Sequence, residues 1–144
     1  MEQNTAASAL EELSRDECLH LLRKHRVGRF AVAVAGMAPI VVPVNYLLDG
    51  DVVIFRSGAG TKLTALRGAP VSFEIDEIDE YRGEGWSVLV QGRAYEATRW
   101  ETAHLDLLTW APGQKDHWVR IAPDAVTGRR ITRPDQFPDL GGYL

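Results

Sequence analysis

The stretch Ile40-Val41-Val42-Pro43-Val44-Asn45-Tyr46-Leu47-Leu48-Asp49-Gly50-Asp51-Val52-Val53-Ile54-Phe55-Arg56-Ser57-Gly58-Ala59-Gly60-Thr61-Lys62 decides the fold. Two β-branched, apolar runs flank Asp49-Gly50, a strong signal for a two-residue hairpin. The pattern predicts one strand over residues 40–48 and its return over 51–57. Pro43 cannot donate to a ladder, so its strand must lie on an edge or carry a bulge there. After Ser57 a glycine pair allows a tight turn, and a short helix is expected over 61–66, closed by Gly68.

Upstream, Phe30, Val32 and Val34 alternate with Ala31, Ala33 and Ala35, which predicts a strand with two unlike faces. Gly36 to Pro39 then turn the chain. Earlier still, Ser14-Arg15-Asp16-Glu17 reads as a capping box, with Ser14 as N-cap and Glu17 at the third helical position. Cys18, Leu19, Leu21 and Leu22 supply the apolar stripe of that helix, and Gly28 is expected to stop it. Arg23, Lys24, His25 and Arg26 complement the dipole at its C-terminal end. Residues 1–13 read as a flexible leader.

Downstream, strands are expected over 71–75 and 86–97, separated by a charged loop over 76–85. A helix is expected over 100–108, with Ala103, Leu107 and Trp110 along one side. A core strand over 117–121, an extension over 126–131 and an irregular tail over 133–144 complete the chain. The expected organisation is one domain over 14–132. Six strands with few short helices point to a mainly β fold, a small antiparallel barrel whose closure removes exposed edges.

Composition narrows the function. The 144 residues carry 45% apolar and 25% charged side chains and a net charge of −4, ordinary for a globular protein and unlike a generally basic nucleic-acid binder. One cysteine, Cys18, excludes an internal disulfide framework and multi-cysteine metal centres. No apolar run approaches the roughly 20 residues of a membrane span, and the N-terminus lacks a signal-peptide pattern. No nucleic acid and no membrane are expected as partners, and a cytoplasmic location is.

Hydrolytic machinery is missing. There is no G-x-S-x-G elbow and no H-E-x-x-H, and His20, His25, His104 and His117 are scattered. The acidic run Glu74-Ile75-Asp76-Glu77-Ile78-Asp79-Glu80 lacks the glycine-centred spacing of a calcium loop and reads as solvated; no metal site is expected. The segment 54–62 has what a phosphate monoester needs: helix-start amides, hydroxyls and two cations, Arg56 and Lys62. Walker spacing is absent, which disfavours nucleoside triphosphate hydrolysis. Pro43-Val44-Asn45-Tyr46 breaks an apolar strand and frees backbone groups for a planar ligand with imide and carbonyl edges, or Asn45 caps a bulge. Gln91 lies among apolar neighbours in a long strand. Trp86, Trp100, Trp110 and Trp118 read mainly as packing. In His117-Trp118-Val119-Arg120-Ile121, alternation puts Val119 and Ile121 in the core and Trp118 with Arg120 outside.

The order of these segments resembles the pyridoxamine 5′-phosphate oxidase-like split-barrel flavoproteins, in particular their small nitroimidazole-resistance-related members. The resemblance spans about residues 14–131. It is carried jointly by the capping helix, V-G-R-F-A-V-A-V, P-V-N-Y, the D-G hairpin, F-R-S-G-A-G-T-K, V-S-F-E-I-D, S-V-L-V-Q-G-R-A and V-T-G-R-R. It implies a six-stranded antiparallel split β-barrel and a homodimer with flavin mononucleotide (FMN) in two interface clefts. By position it places Arg56, Ser57, Thr61 and Lys62 at the flavin phosphate. Pro43, Val44, Asn45 and Phe55 would lie along the ribityl chain and ring edge, with Gln91 toward the isoalloxazine or the interface. Trp110 and Trp118 would approach from the partner. The C-terminal arginine–histidine pattern of true pyridoxamine phosphate oxidases is not evident, which argues against vitamin B6 oxidation. The expectation is an FMN-dependent oxidoreductase, a reductase of a small planar or electron-poor substrate, with a nicotinamide as a candidate electron donor. The alternatives are a deazaflavin-coenzyme-dependent reductase and a flavin-binding or storage protein without efficient turnover. No catalytic acid or base is assigned, because the cofactor carries the electrons.

Overall fold

The computed structural model of the protein describes residues 9–33, 35–58, 67–111, 113 and 117–133. In chain order the elements are β1 (Ala9–Leu13), α1 (Arg15–Lys24), β2 (Val27–Val32), β3 (Ile40–Asp49), β4 (Val52–Ser57), β5 (Ala69–Asp79), β6 (Glu84–Glu96), α2 (Arg99–Thr102) and β7 (His117–Thr132). The strands follow the order β1-β7-β4-β3-β2-β5-β6, and β6 pairs back onto β7. The antiparallel strands β2 to β7 thus close into a six-stranded barrel, and β1 is an extra strand. The expected fold class is the observed one.

Alternation builds the core. Phe30, Tyr46, Phe55, Phe73, Val119 and Ile121 point inward from five strands and are buried. Phe30 and Phe55 meet at 4.9 Å between ring centroids, as do Tyr46 and Phe73. The hairpin turns through Gly50, whose φ of 65° suits a glycine-first tight turn between Asp49 and Val52. The capping box forms as read: the Ser14 side chain accepts from the Glu17 N–H at 3.1 Å, and Glu17 accepts from the Ser14 N–H at 3.0 Å. Helix α1 buries Cys18, Leu19 and Leu22 against the barrel. The Tyr46 hydroxyl donates to the Leu22 carbonyl at 2.6 Å, pinning helix to barrel, and burial pushes its phenol pKa up.

Several expectations need correction. Residues 9–13 are a strand, because β7 runs past β4 and leaves Gly128 to Thr132 to be paired by β1. Helix α1 ends at Lys24, and Gly28 lies inside β2, where a Cβ would collide with the Phe73 ring. The segment expected as a loop over 76–85 is mostly ladder, since β5 and β6 stay paired out to Asp79↔Glu84. Only α2 is helical in the segment expected as a helix over 100–108. The two late segments form one strand, β7, which carries Asp124 as an extra, unpaired residue where the register shifts opposite Gln91 and Gly92. A Cβ on Gly92 would run into the Ala122 carbonyl. Val34, the expected helix over 61–66, residues 1–8 and the tail beyond Arg133 lie outside the described residues. Among those described, no helix is long and apolar enough to cross a membrane.

Candidate functional site

The barrel is split where β3 leaves β4. Strand β3 pairs with β2 from Ile40 to Asn45, but with β4 only from Tyr46↔Phe55 to Asp49↔Val52. Among the described residues, the β4-facing edge of 40–45 therefore carries no ladder. The Tyr46 N–H donates to the Arg26 carbonyl at 3.0 Å, toward β2. Alternation then turns the main-chain groups of Asn45, Pro43 and Val41 toward the split. Pro43 sits where an N–H would have had no strand partner, so its edge position costs the sheet nothing. Across the split stand Arg56 and Ser57, which pair with β7 but not with β3.

The pleat sorts these residues by face. Asn45 and Arg56 project from the outer face, whereas Phe55 and Ser57 turn inward and are buried. Opposite Arg56 in the ladder is Trp118, and the guanidinium lies 5.2 Å from the indole centroid, a cation–π distance. Arg56 Nη1 also donates to the Leu107 carbonyl at 3.0 Å. Asn45 Oδ1 accepts from the Trp110 N–H at 2.7 Å.

Leu107 and Trp110 belong to a strap, residues 103–111, that follows α2 and crosses the outer face. Helix α2 is held by its own capping box, Thr98 with Glu101, and Glu101 pairs with Arg120 at 3.1 Å. Arg120 in turn packs over Tyr95. His104 Nε2 lies 3.4 Å from Asp49 Oδ2. Leu107 and Ile54 are both buried yet stand apart from the barrel-core cluster.

Of the residues singled out from sequence, Asn45, Arg56, Trp118 and the Trp110 main chain are brought together, with Pro43 on the adjoining edge. Val44 is half-buried against the core, and the Phe55 ring is committed to Phe30. Ser57 faces away from Arg56. Gln91 is exposed on β6, three strands from β3, opposite Ser72 and Ala125. Thr61 and Lys62 lie outside the described residues. Val119 and Ile121 are buried while Trp118 and Arg120 are half-buried, the alternation read from sequence.

One further group carries unusual electrostatics. Arg29 Nη1 lies 3.3 Å from Glu74 and 3.5 Å from Asp76 on the outer face of β2 and β5. Partial burial, a hydrogen bond shared with Asp76 and its repulsion push the Glu74 carboxyl up to about 7, against the pull of Arg29. Arg29 is the ladder partner of Pro43, so the carboxyl pair is two strands from the split. Among the described residues, no three His, Cys, Asp or Glu side chains converge as metal ligands.

Against this geometry, the family model described as pyridoxamine 5′-phosphate oxidase matches residues 14–130. The chain belongs to this family. An uncharacterized Mycobacterium tuberculosis protein is 35% identical to this pyridoxamine 5′-phosphate oxidase family member over 142 residues, covering 92% of this chain and 93% of its own. A Corynebacterium glutamicum structure, provisionally named a pyridoxamine 5′-phosphate oxidase, superposes with a TM-score of 0.73 at 30% identity, over 85% of this chain and 93% of that one. A Mycobacterium smegmatis structure named an FAD binding protein gives 0.70 at 34% identity, over 83% and 98%.

Sequence reasoning missed the strap. Thr98-Arg99-Trp100-Glu101 spells a capping box and marks the true start of α2. Leu107 gave no such signal: an apolar residue in a mixed segment reads the same whether it anchors a helix or a strap.

Proposed function

We propose that this protein is a flavin-dependent oxidoreductase that holds FMN in clefts at a homodimer interface and reduces small planar or electron-poor substrates. The observation that carries this reading is the open edge of β3 set beside Arg56. Arg56 brings a rigid cationic fork suited to a phosphate monoester. Asn45 and the main chain of Pro43 and Val41 line one side of a slot with amide donors and carbonyl acceptors, the groups an isoalloxazine edge or ribityl chain requires. Trp118 gives Arg56 an apolar backing. These residues fit a flavin. Membership of the pyridoxamine 5′-phosphate oxidase family and the relative named for FAD support the same class of cofactor.

Bound flavin would supply hydride chemistry at its tricyclic ring, and the chain would fix phosphate and ring and exclude water. Thr61 and Lys62 join Arg56 at the phosphate on the strength of the family pattern. Gln91 and the indole of Trp110 would act across the dimer interface. FAD shares the isoalloxazine and ribityl phosphate of FMN, and the 34% identical FAD binding relative makes it the second reading.

Purified protein heated to release its cofactor, then analysed by mass spectrometry, should yield FMN. The FAD mass would reassign the cofactor, and a colourless protein that takes up neither overturns the reading. Arg56→Ala should weaken FMN by about 1.5–3 kcal/mol and riboflavin by much less, since riboflavin lacks the phosphate. Anaerobic bleaching of the flavin by a reduced nicotinamide would identify the electron donor.

A further inference from the structure

Leu107 is the one buried residue of the strap, 7% exposed against 82% for Leu108 and 75% for Trp110. A segment with so little apolar burial is held at few points. Two of those points are the polar side chains of the cleft. The Leu107 carbonyl takes Arg56 Nη1 at 3.0 Å, and the Trp110 N–H reaches Asn45 Oδ1 at 2.7 Å. A main-chain N–H can only donate, so Asn45 must turn its oxygen to the strap and its amino group elsewhere. The guanidinium is planar and rigid. A carbonyl on one edge and the Trp118 indole under its face therefore restrict how the guanidinium can turn.

Resting on the flavin reading above, we propose that Leu107 is a positioning residue: its buried side chain seats the strap so that Arg56 aims at the cofactor phosphate and Asn45 offers amino donors to a cofactor oxygen. The cleft selects a ligand with an anion at Arg56 and an oxygen acceptor at Asn45, and the strap enforces that pattern. Its anchor therefore matters most for the phosphate.

The test is a fluorescence titration of apoprotein with FMN and with riboflavin, in wild type, Leu107→Ala, Leu107→Met, Arg56→Ala and the Leu107→Ala/Arg56→Ala double variant. Leu107→Ala should weaken FMN roughly tenfold and riboflavin less than about threefold. Leu107→Met should restore FMN affinity to near wild type. On the Arg56→Ala background, Leu107→Ala should change FMN affinity less than about threefold, the loss expected for riboflavin, because only the Asn45 route is left. Should Leu107→Ala lose its cooperative melt, Leu107→Val carries the same comparison. Equal losses for the two ligands, or the same factor with and without Arg56, overturn the positioning role alone. Wild-type protein that binds neither ligand overturns the flavin reading and this proposal with it.

Discussion

Glu74 holds its proton into the neutral range because partial burial and the neighbouring Asp76 outweigh the attraction of Arg29. Asp76, Arg29 and Glu74 are the charged groups that meet there, from β5 and β2. A carboxyl raised from 4.5 to about 7 favours the folded state while protonated in both states. That contribution is full below pH 4.5 and is lost as the pH rises through about 7. Glu74→Gln keeps the neutral form at every pH. Its melting temperature should gain on wild type steadily from pH 5 to pH 8, and parallel curves would show that Glu74 ionises freely. Gly28 makes a different point at the same scale. It reads in sequence as a helix stop, yet the Phe73 ring on the neighbouring strand β5 makes it a glycine, and a ring 45 positions along the chain leaves no local signature.

Among the elements, α1 carries the clearest sequence signal and the simplest test. Its capping box satisfies donors at both Ser14 and Glu17, and those bonds hold the Glu17 carboxyl below its usual pKa. Ser14→Ala should cost about 1 kcal/mol in urea unfolding, with the midpoint moving and the slope unchanged. Part of that loss should fade as the pH falls below 4.5 and Glu17 takes up its proton. Strands were legible wherever alternation was strong, as in Phe30 to Val32 and Val119 to Ile121. They were illegible where pairing, not patterning, makes the strand. Glu77, Ile78 and Asp79 are all exposed, and only the unbroken ladder to β6 keeps them extended. Ala9 to Glu12 are likewise exposed and owe their conformation to β7. The cleft was half legible. Pro43 and Asn45 announced an edge, and Arg56 announced a cation beside it. Ser57 and Phe55 turn to the face opposite Arg56, because alternation separates neighbours that sequence sets side by side.

For the whole molecule, the exposed apolar side chains of the outer face lead to the proposed association. Val41 at 61% exposure, Trp110 and Leu108 leave large apolar side chains exposed on β3 and the strap, and under the proposed flavin reading a second chain would cover them. Light scattering of flavin-loaded protein should return twice the chain mass, and a loaded monomer at micromolar concentration would refute the dimer. Strand β7 has a consequence of another kind. It is made last among the described strands, yet it supplies the partner of β1, β4 and β6. Until residue 132 has left the ribosome, three strands stand with an open edge, and Ala9 must wait for Thr132. Pairings this distant in sequence close slowly, on the scale of milliseconds to seconds. The nascent chain is thus a half-barrel with apolar edges, most exposed to aggregation and to chaperones just before its final strand appears.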